Sequence, residues 1–216
     1  MTIRRKGRDS YAQTYAAKKN FKMSTYKKTH YSKRWSRFCG WCLRKLGWTS
    51  VSGPPPEPKC VMLGVPHTSM ADFIVAYLFY SSFGEVGRVM IKKELFFWPL
   101  GSILRAWGCI PVDRSNAGNL VKSIISEMEQ VDFFKLAVAP EGTRKPIKRW
   151  KTGALVIAHE AGIPLYAGYI DWGTKRISCG KKFPLTGDHK SDLKRLQQYY
   201  EELNLKGKHP ENYITH

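Results

Sequence analysis

His67-Thr68-Ser69-Met70-Ala71-Asp72 sets an imidazole and a carboxylate five residues apart. Across a strand–loop–helix corner, that spacing folds the aspartate back under the ring. A carboxylate there fixes the ring tautomer and stabilises the imidazolium, as in a Ser-His-Asp triad without its serine. The hydroxyl of an acceptor substrate would take the serine's place. The base would remove its proton as it attacks an acyl carbonyl. Further along stands Pro140-Glu141-Gly142-Thr143-Arg144, a cationic turn suited to phosphate. Arginine grips phosphate bidentately, while the N–H groups of a glycine turn and a threonine hydroxyl add hydrogen bonds. A third segment, Gly108 to Arg114, ends on an Asp113-Arg114 pair. Singly, each has an ordinary reading: a structural histidine at a strand end, and surface ion pairs at Asp113–Arg114 and Glu141–Arg144.

These groups meet only if the chain brings them to one place. Lys59–Val65, Val89–Ile91, Cys109–Val112, Leu136–Ala139, Leu165–Ile170 and Lys175–Cys179 read as strands. Between them Ala71–Phe83, Leu95–Trp107 (with a break at Pro99), Asn116–Gln130 and Thr152–Ala161 read as helices, and Asp192–Leu203 as a charged surface helix. Asn116 or Ser115 would cap the third of these. Alternating strands and helices predict an α/β domain with a largely parallel central sheet flanked by helices. Sites in such sheets lie just beyond strand C-termini. His67, Arg114 and Glu141 each follow a strand, which puts all three on one rim.

The chain has 216 residues and a net charge of +19. Its length suits one domain with a substantial core. Residues 1–50 carry 14 Lys/Arg against Asp9 alone, leaving the remainder only mildly basic. Such an arm calls for an anionic partner, a membrane surface or nucleic acid. Residues 1–32 are polar, basic and aperiodic, which predicts a disordered arm or one ordered only on a surface. The same composition resembles an organellar transit peptide, and Met23 is an alternative start. Five irregularly spaced cysteines do not form a disulfide framework and point to a reducing compartment. No apolar signal segment and no uninterrupted apolar run of transmembrane length is visible.

Residues 33–48 differ from the arm. On a helical wheel Trp35, Phe38, Cys39, Cys42, Leu43 and Leu46 share one face, with Lys33, Arg34, Arg37, Arg44 and Lys45 opposite. Trp41 and Trp48 fall among the basic residues. The pattern suits an in-plane membrane-interface helix, or a helix packed on its own domain with a solvated basic rim. Gly53 to Pro58 (GPPPEP) reads as a linker. The division expected is a basic arm (1–32), an amphipathic interface helix (33–52) and a catalytic domain (53–216). Cys39-Gly40-Trp41-Cys42 imitates a redox motif, but it lies inside the amphipathic helix rather than after a strand, and no further ligands suit a zinc site.

Taken in order, the motifs resemble the glycerolipid acyltransferase superfamily, which includes the 1-acylglycerol-3-phosphate (lysophosphatidate) acyltransferases. The matching blocks are His67…Asp72, Lys92-Lys93-Glu94-Leu95…Trp98-Pro99-Leu100-Gly101, Gly108…Arg114, Pro140-Glu141-Gly142-Thr143-Arg144, and Lys151-Thr152-Gly153-Ala154 running to Gly162-Ile163-Pro164. They span roughly residues 59–170. The tail Gly207-Lys208-His209-Pro210-Glu211-Asn212 is similar to a small bacterial subgroup. The resemblance implies that His67 is the general base and Asp72 its orienting partner. It implies that Arg114, Glu141, Gly142, Thr143 and Arg144 bind the acceptor's phosphate or polar head, with Lys92 and Lys151 lining the same site. It also implies direct transfer from acyl-CoA or acyl carrier protein as co-substrate, with no acyl-enzyme, metal or other cofactor. Pro66 stands where the family often has Asn, and Ala167 and Gly168 occupy the region of a second family proline. The acceptor is then lysophosphatidate, another lysophospholipid or an acylated amino-acid lipid.

The expectation is a peripheral enzyme on the cytoplasmic face of an anionic membrane. Each Lys/Arg near an anionic leaflet contributes about 1 kcal/mol. The competing reading is a non-catalytic lipid- or nucleic-acid-binding protein on the same scaffold. The arm offers tyrosines for base stacking, but no RRM, KH or zinc-finger pattern accompanies it, so nucleic acid is the weaker partner.

Overall fold

The protein is described from a computed structural model, over residues 30–113 and 117–215. The arm up to residue 29, Arg114 and the expected caps Ser115 and Asn116 lie outside the described residues.

Six strands form the main sheet: β2 (Lys59–Leu63), β3 (Gly87–Lys92), β4 (Cys109–Val112), β5 (Phe134–Val138), β6 (Leu165–Tyr166) and β9 (Lys182–Phe183). Their order is β4-β3-β5-β2-β6-β9, parallel except for the β6–β9 pair. β1 (Thr49–Ser50), β8 (Arg176–Ser178) and β7 (Tyr169–Asp171) make a second, three-stranded sheet. The fold is the α/β arrangement expected, with a mostly parallel central sheet.

Residues on β2 alternate between two helical layers, as strand geometry requires. Val61 and Leu63 point into a cluster with Ile124 and Met128 of α4 (Ala117–Glu129), Leu155 and Ala158 of α5 (Gly153–Glu160), and Leu196 and Tyr200 of α6 (His189–Glu202). Cys60 and Met62 point the other way, into a cluster with Leu43 of α1 (Lys33–Lys45) and Val75 and Phe79 of α2 (Ala71–Ser82). Both faces of the strand are covered, so its buried part, Cys60 to Leu63, is an unbroken apolar run.

Helix α1 packs Cys39, Gly40 and Leu43 inward, while Trp35, Phe38 and Trp41 remain exposed in a run of ring contacts. Trp48, which the wheel sets among the basic residues, is buried beside Trp172. The Gly53–Pro58 segment is tied down as well: the Pro55 carbonyl accepts from the Lys135 ammonium at 2.5 Å, and the Pro58 carbonyl from the Phe134 N–H at 2.8 Å.

The break expected at Pro99 is present: a single 3₁₀ turn, Lys93–Leu95, precedes it, and α3 runs over Leu100–Ala106. Leu165–Ile170 is not one strand: it splits into β6 and β7, which belong to different sheets. The split falls at Gly168, where a Cβ would stand 2.4 Å from the Leu63 carbonyl oxygen and 3.0 Å from that of Ser178. The close backbone approach there demands glycine and turns the chain from one sheet to the other.

Candidate active site

The parallel order sends β2, β4 and β5 in one direction, so the segments that follow them share a rim. His67 comes four residues after β2, and Glu141 three after β5. The two strands are adjacent, with Leu63 registered against Val138.

His67 Nδ1 stands 3.2 Å from Asp72 Oδ2. Asp72 is 2% exposed and His67 27%, so the carboxylate is sealed while the ring keeps one side open. Asp72 opens α2, where its Oδ2 accepts the backbone N–H groups of Thr68 and Ser69, each at 2.8 Å. Its Oδ1 accepts the indole N–H of Trp172 at 2.7 Å. N–H groups therefore converge on both carboxylate oxygens, as burial of such a group demands. A carboxylate facing Nδ1 favours the tautomer with its proton there, which leaves the Nε2 lone pair available.

Glu141 does not face outward with the rest of its turn. It is buried, and its Oε1 accepts the His67 backbone N–H at 2.9 Å. Its Oε2 has no hydrogen-bond partner among the described residues. Burial pushes the Glu141 carboxyl up to about 7. Gly142 follows in the left-handed region (φ 64°), which glycine alone adopts at no cost. A Cβ there would also meet the Lys151 Cδ and Cε at 2.9 Å, so the Lys151 side chain crosses directly over this turn. The Lys151 N–H is fixed to the Pro140 carbonyl at 2.8 Å. Thr143 is half-buried, its hydroxyl accepting the Lys145 N–H at 3.2 Å, and Arg144 is exposed.

The structure thus gathers His67, Asp72, Glu141, Gly142 and Lys151. Lys92 lies exposed at the end of β3. Its neighbour Lys93 pairs with Asp113 at 2.6 Å on the surface. Arg114 lies outside the described residues. Among the described residues no group of three or more His, Cys, Asp or Glu could hold a metal ion.

Sequence reasoning missed Trp172 and the C-terminal tail. Trp172 reads as a turn residue, yet it donates to Asp72. The His209 N–H donates to the Thr68 hydroxyl at 3.2 Å, and a Cβ on Gly207 would stand 2.6 Å from Thr68. The Lys208 ammonium lies 5.1 Å from the centre of the Trp172 ring. The tail's resemblance to a subgroup was the one available signal, and it named no role.

A groove of about 1100 Å³ lies away from this site, between α1, the end of α2 and β1. Lys33, Arg37 and Arg44 line it. None of the three pairs with a carboxylate of the described residues. Among the described residues no helix is long and apolar enough to cross a membrane.

The family model described as Acyltransferase matches residues 55–171. The chain is also similar in structure to the 1-acyl-sn-glycerophosphate (LPA) acyltransferase, PlsC, from Thermotoga maritima. The two are 16% identical with a TM-score of 0.53, over 93% of this chain and 90% of that one. At that identity the likeness speaks for the fold. No curated protein matches the chain.

Proposed function

Because this chain belongs to the acyltransferase family, we propose that it moves a fatty acyl group from acyl-CoA or acyl carrier protein to the hydroxyl of a lysophospholipid-like acceptor. Lysophosphatidate is the favoured acceptor, and His67 is the general base. The observation that carries this reading is His67 Nδ1, 3.2 Å from a carboxylate sealed from solvent, on the rim where parallel strands end.

In this mechanism Nε2 takes the acceptor's proton as its oxygen bonds to the thioester carbonyl carbon. Asp72 stabilises the imidazolium that forms. The C–S bond then breaks, the acyl group stays on the acceptor, and the imidazolium returns its proton to the leaving thiolate. Positioning with general-base help supplies about 10²–10⁴-fold. The sequence of bonds needs no enzyme nucleophile, metal or further cofactor. Arg114, Arg144, Lys92 and Lys151, with the Gly142-Thr143 turn, hold the acceptor's anionic head. Glu141 contributes from below, by fixing the His67 backbone.

The enzyme works from the cytoplasmic face of an anionic membrane, as a peripheral protein. Exposed Phe38 and Trp41 on α1, and Phe97 and Trp98 before α3, supply apolar contact. Lys33, Arg37 and Arg44, together with the basic arm, meet the lipid charge.

A thiol-release assay tests the chemistry. Wild type and His67→Ala receive palmitoyl-CoA or acyl carrier protein thioester with a panel of lysolipids. Acceptor-dependent thiol release by wild type alone is expected. Near-normal turnover by folded His67→Ala overturns the base assignment.

A further inference from the structure

Asp72 has two buried oxygens, and its own motif serves only one of them. Oδ2 faces His67 Nδ1 and accepts from Thr68 and Ser69. Oδ1 depends on Trp172, one hundred residues away, at 2.7 Å. Two donor directions, one per oxygen, fix the rotation of a carboxylate about its Cβ–Cγ bond. With one side lost, a buried oxygen is left without a donor and the group turns to find one.

The indole is itself firmly placed. Trp48 packs edge-on against it at 4.9 Å, and the Lys208 ammonium covers a face at 5.1 Å. The Trp172 backbone N–H donates to the Lys206 carbonyl at 2.8 Å. The Asp171 Oδ1 accepts the N–H groups of Lys206 at 3.0 Å and Gly173 at 3.1 Å. A strand turn and the C-terminal tail are laced together around one side chain, whose only polar side-chain atom points at Asp72. The family model ends at Asp171, one residue short of it.

We propose that Trp172 is a positioning residue for the His67–Asp72 pair. Its indole N–H holds the Asp72 carboxylate in the rotation that presents Oδ2 to His67 Nδ1. The proposal rests on the general-base reading above. Trp172 acts through Asp72 and not through substrate, so its loss belongs in kcat and leaves the KM of donor and acceptor alone.

The test compares Trp172→Phe with Trp48→Phe, each full-length, in the thiol-release assay. Both trim the same ring contact, and only the first removes the hydrogen bond. Trp172→Phe should lower kcat roughly ten- to a hundredfold, as for the loss of a hydrogen bond to a charged group. KM for both substrates should stay within about twofold, and Trp48→Phe should keep its kcat. Benzothienylalanine at 172 replaces the indole N–H with sulfur at nearly unchanged shape and covers the case where Phe fails to fold. It should show the same fall in kcat. Wild-type kcat in the folded benzothienylalanine protein, or an equal loss in Trp48→Phe, overturns the proposal. If His67→Ala still turns over, the general-base reading fails first. If His67→Ala is dead and the 172 variants are not impaired, only the Trp172 inference fails.

Discussion

The Glu141 carboxylate accepts the backbone N–H of His67 at 2.9 Å. Two motifs that stand 74 residues apart are thereby one object. The adjacency of β2 and β5 brings them together, and the hydrogen bond ties the His67 backbone to the turn after β5. Glu141 thus supports the His67 loop from within, while Thr143, half-buried, and Arg144, exposed, form the outer part of its turn.

That burial has a pH signature. The Glu141 carboxyl is pushed up to about 7 in the folded protein, against an ordinary glutamate range near 4.3 in the unfolded chain. From roughly pH 4.5 to 7 the unfolded chain releases this proton first, so stability falls as pH rises through that window. Below it both states hold the proton, and above it both have lost it. Glu127, also pushed up to about 7 by burial, adds to the same slope. Glu141→Gln should therefore make the decline shallower, and adding Glu127→Gln should flatten it further. Urea titrations at several pH values read the slope. An unchanged slope in the double variant refutes the assignment.

The tail and the loop that carries His67 are pressed together at one glycine. A Cβ at 207 would stand 2.6 Å from both Thr68 Oγ1 and Cγ2. Gly207→Ala should cost about 1–3 kcal/mol, as overpacking does, and should lower turnover by displacing the loop that carries His67. Adding Thr68→Ala opens the space, so the double variant should recover part of the stability lost by Gly207→Ala. Strictly additive losses in chemical denaturation would show that the two residues are not in contact.

The outer face of α1 should matter for lipid and not for folding. Phe38 and Trp41 are 50% and 51% exposed and lie in ring contact at 6.1 Å. Burying such a side chain fully contributes about 1.5–3 kcal/mol. Phe38→Ser with Trp41→Ser should therefore weaken co-sedimentation with anionic phosphatidylglycerol vesicles at least tenfold. The melting temperature should barely move, because both side chains face solvent. Unchanged vesicle binding would remove this face from the membrane contact.

Much of the scaffold was legible because its signals are local. Apolar runs bounded by Gly and Pro marked β2, β4 and β5, and residues beyond them marked the rim. Elements too short to carry a period escape: β9 has two residues, and β6 and β7 read as one strand in the sequence. The helix at 33–45 was visible as amphipathic, but the wheel could not say which part of its apolar arc the domain would claim. Packing chose Cys39, Gly40 and Leu43, the edge that fits closely against α2, and left the bulkier aromatics outside.

The sequence by itself determined the chemistry on offer: a histidine five residues before an aspartate, and a Gly-Thr-Arg turn after a strand. Residue type and short spacing are properties of the chain, and they survive without knowledge of the fold. Only the tertiary structure decided what supports that chemistry. Glu141 lies under His67, Trp172 caps the second oxygen of Asp72, and the tail at 207–209 presses on Thr68. These partners are distant in the chain and ordinary in type. Their selection follows from strand order and from the requirement that a buried polar atom find a partner, which is met in space and not along the sequence.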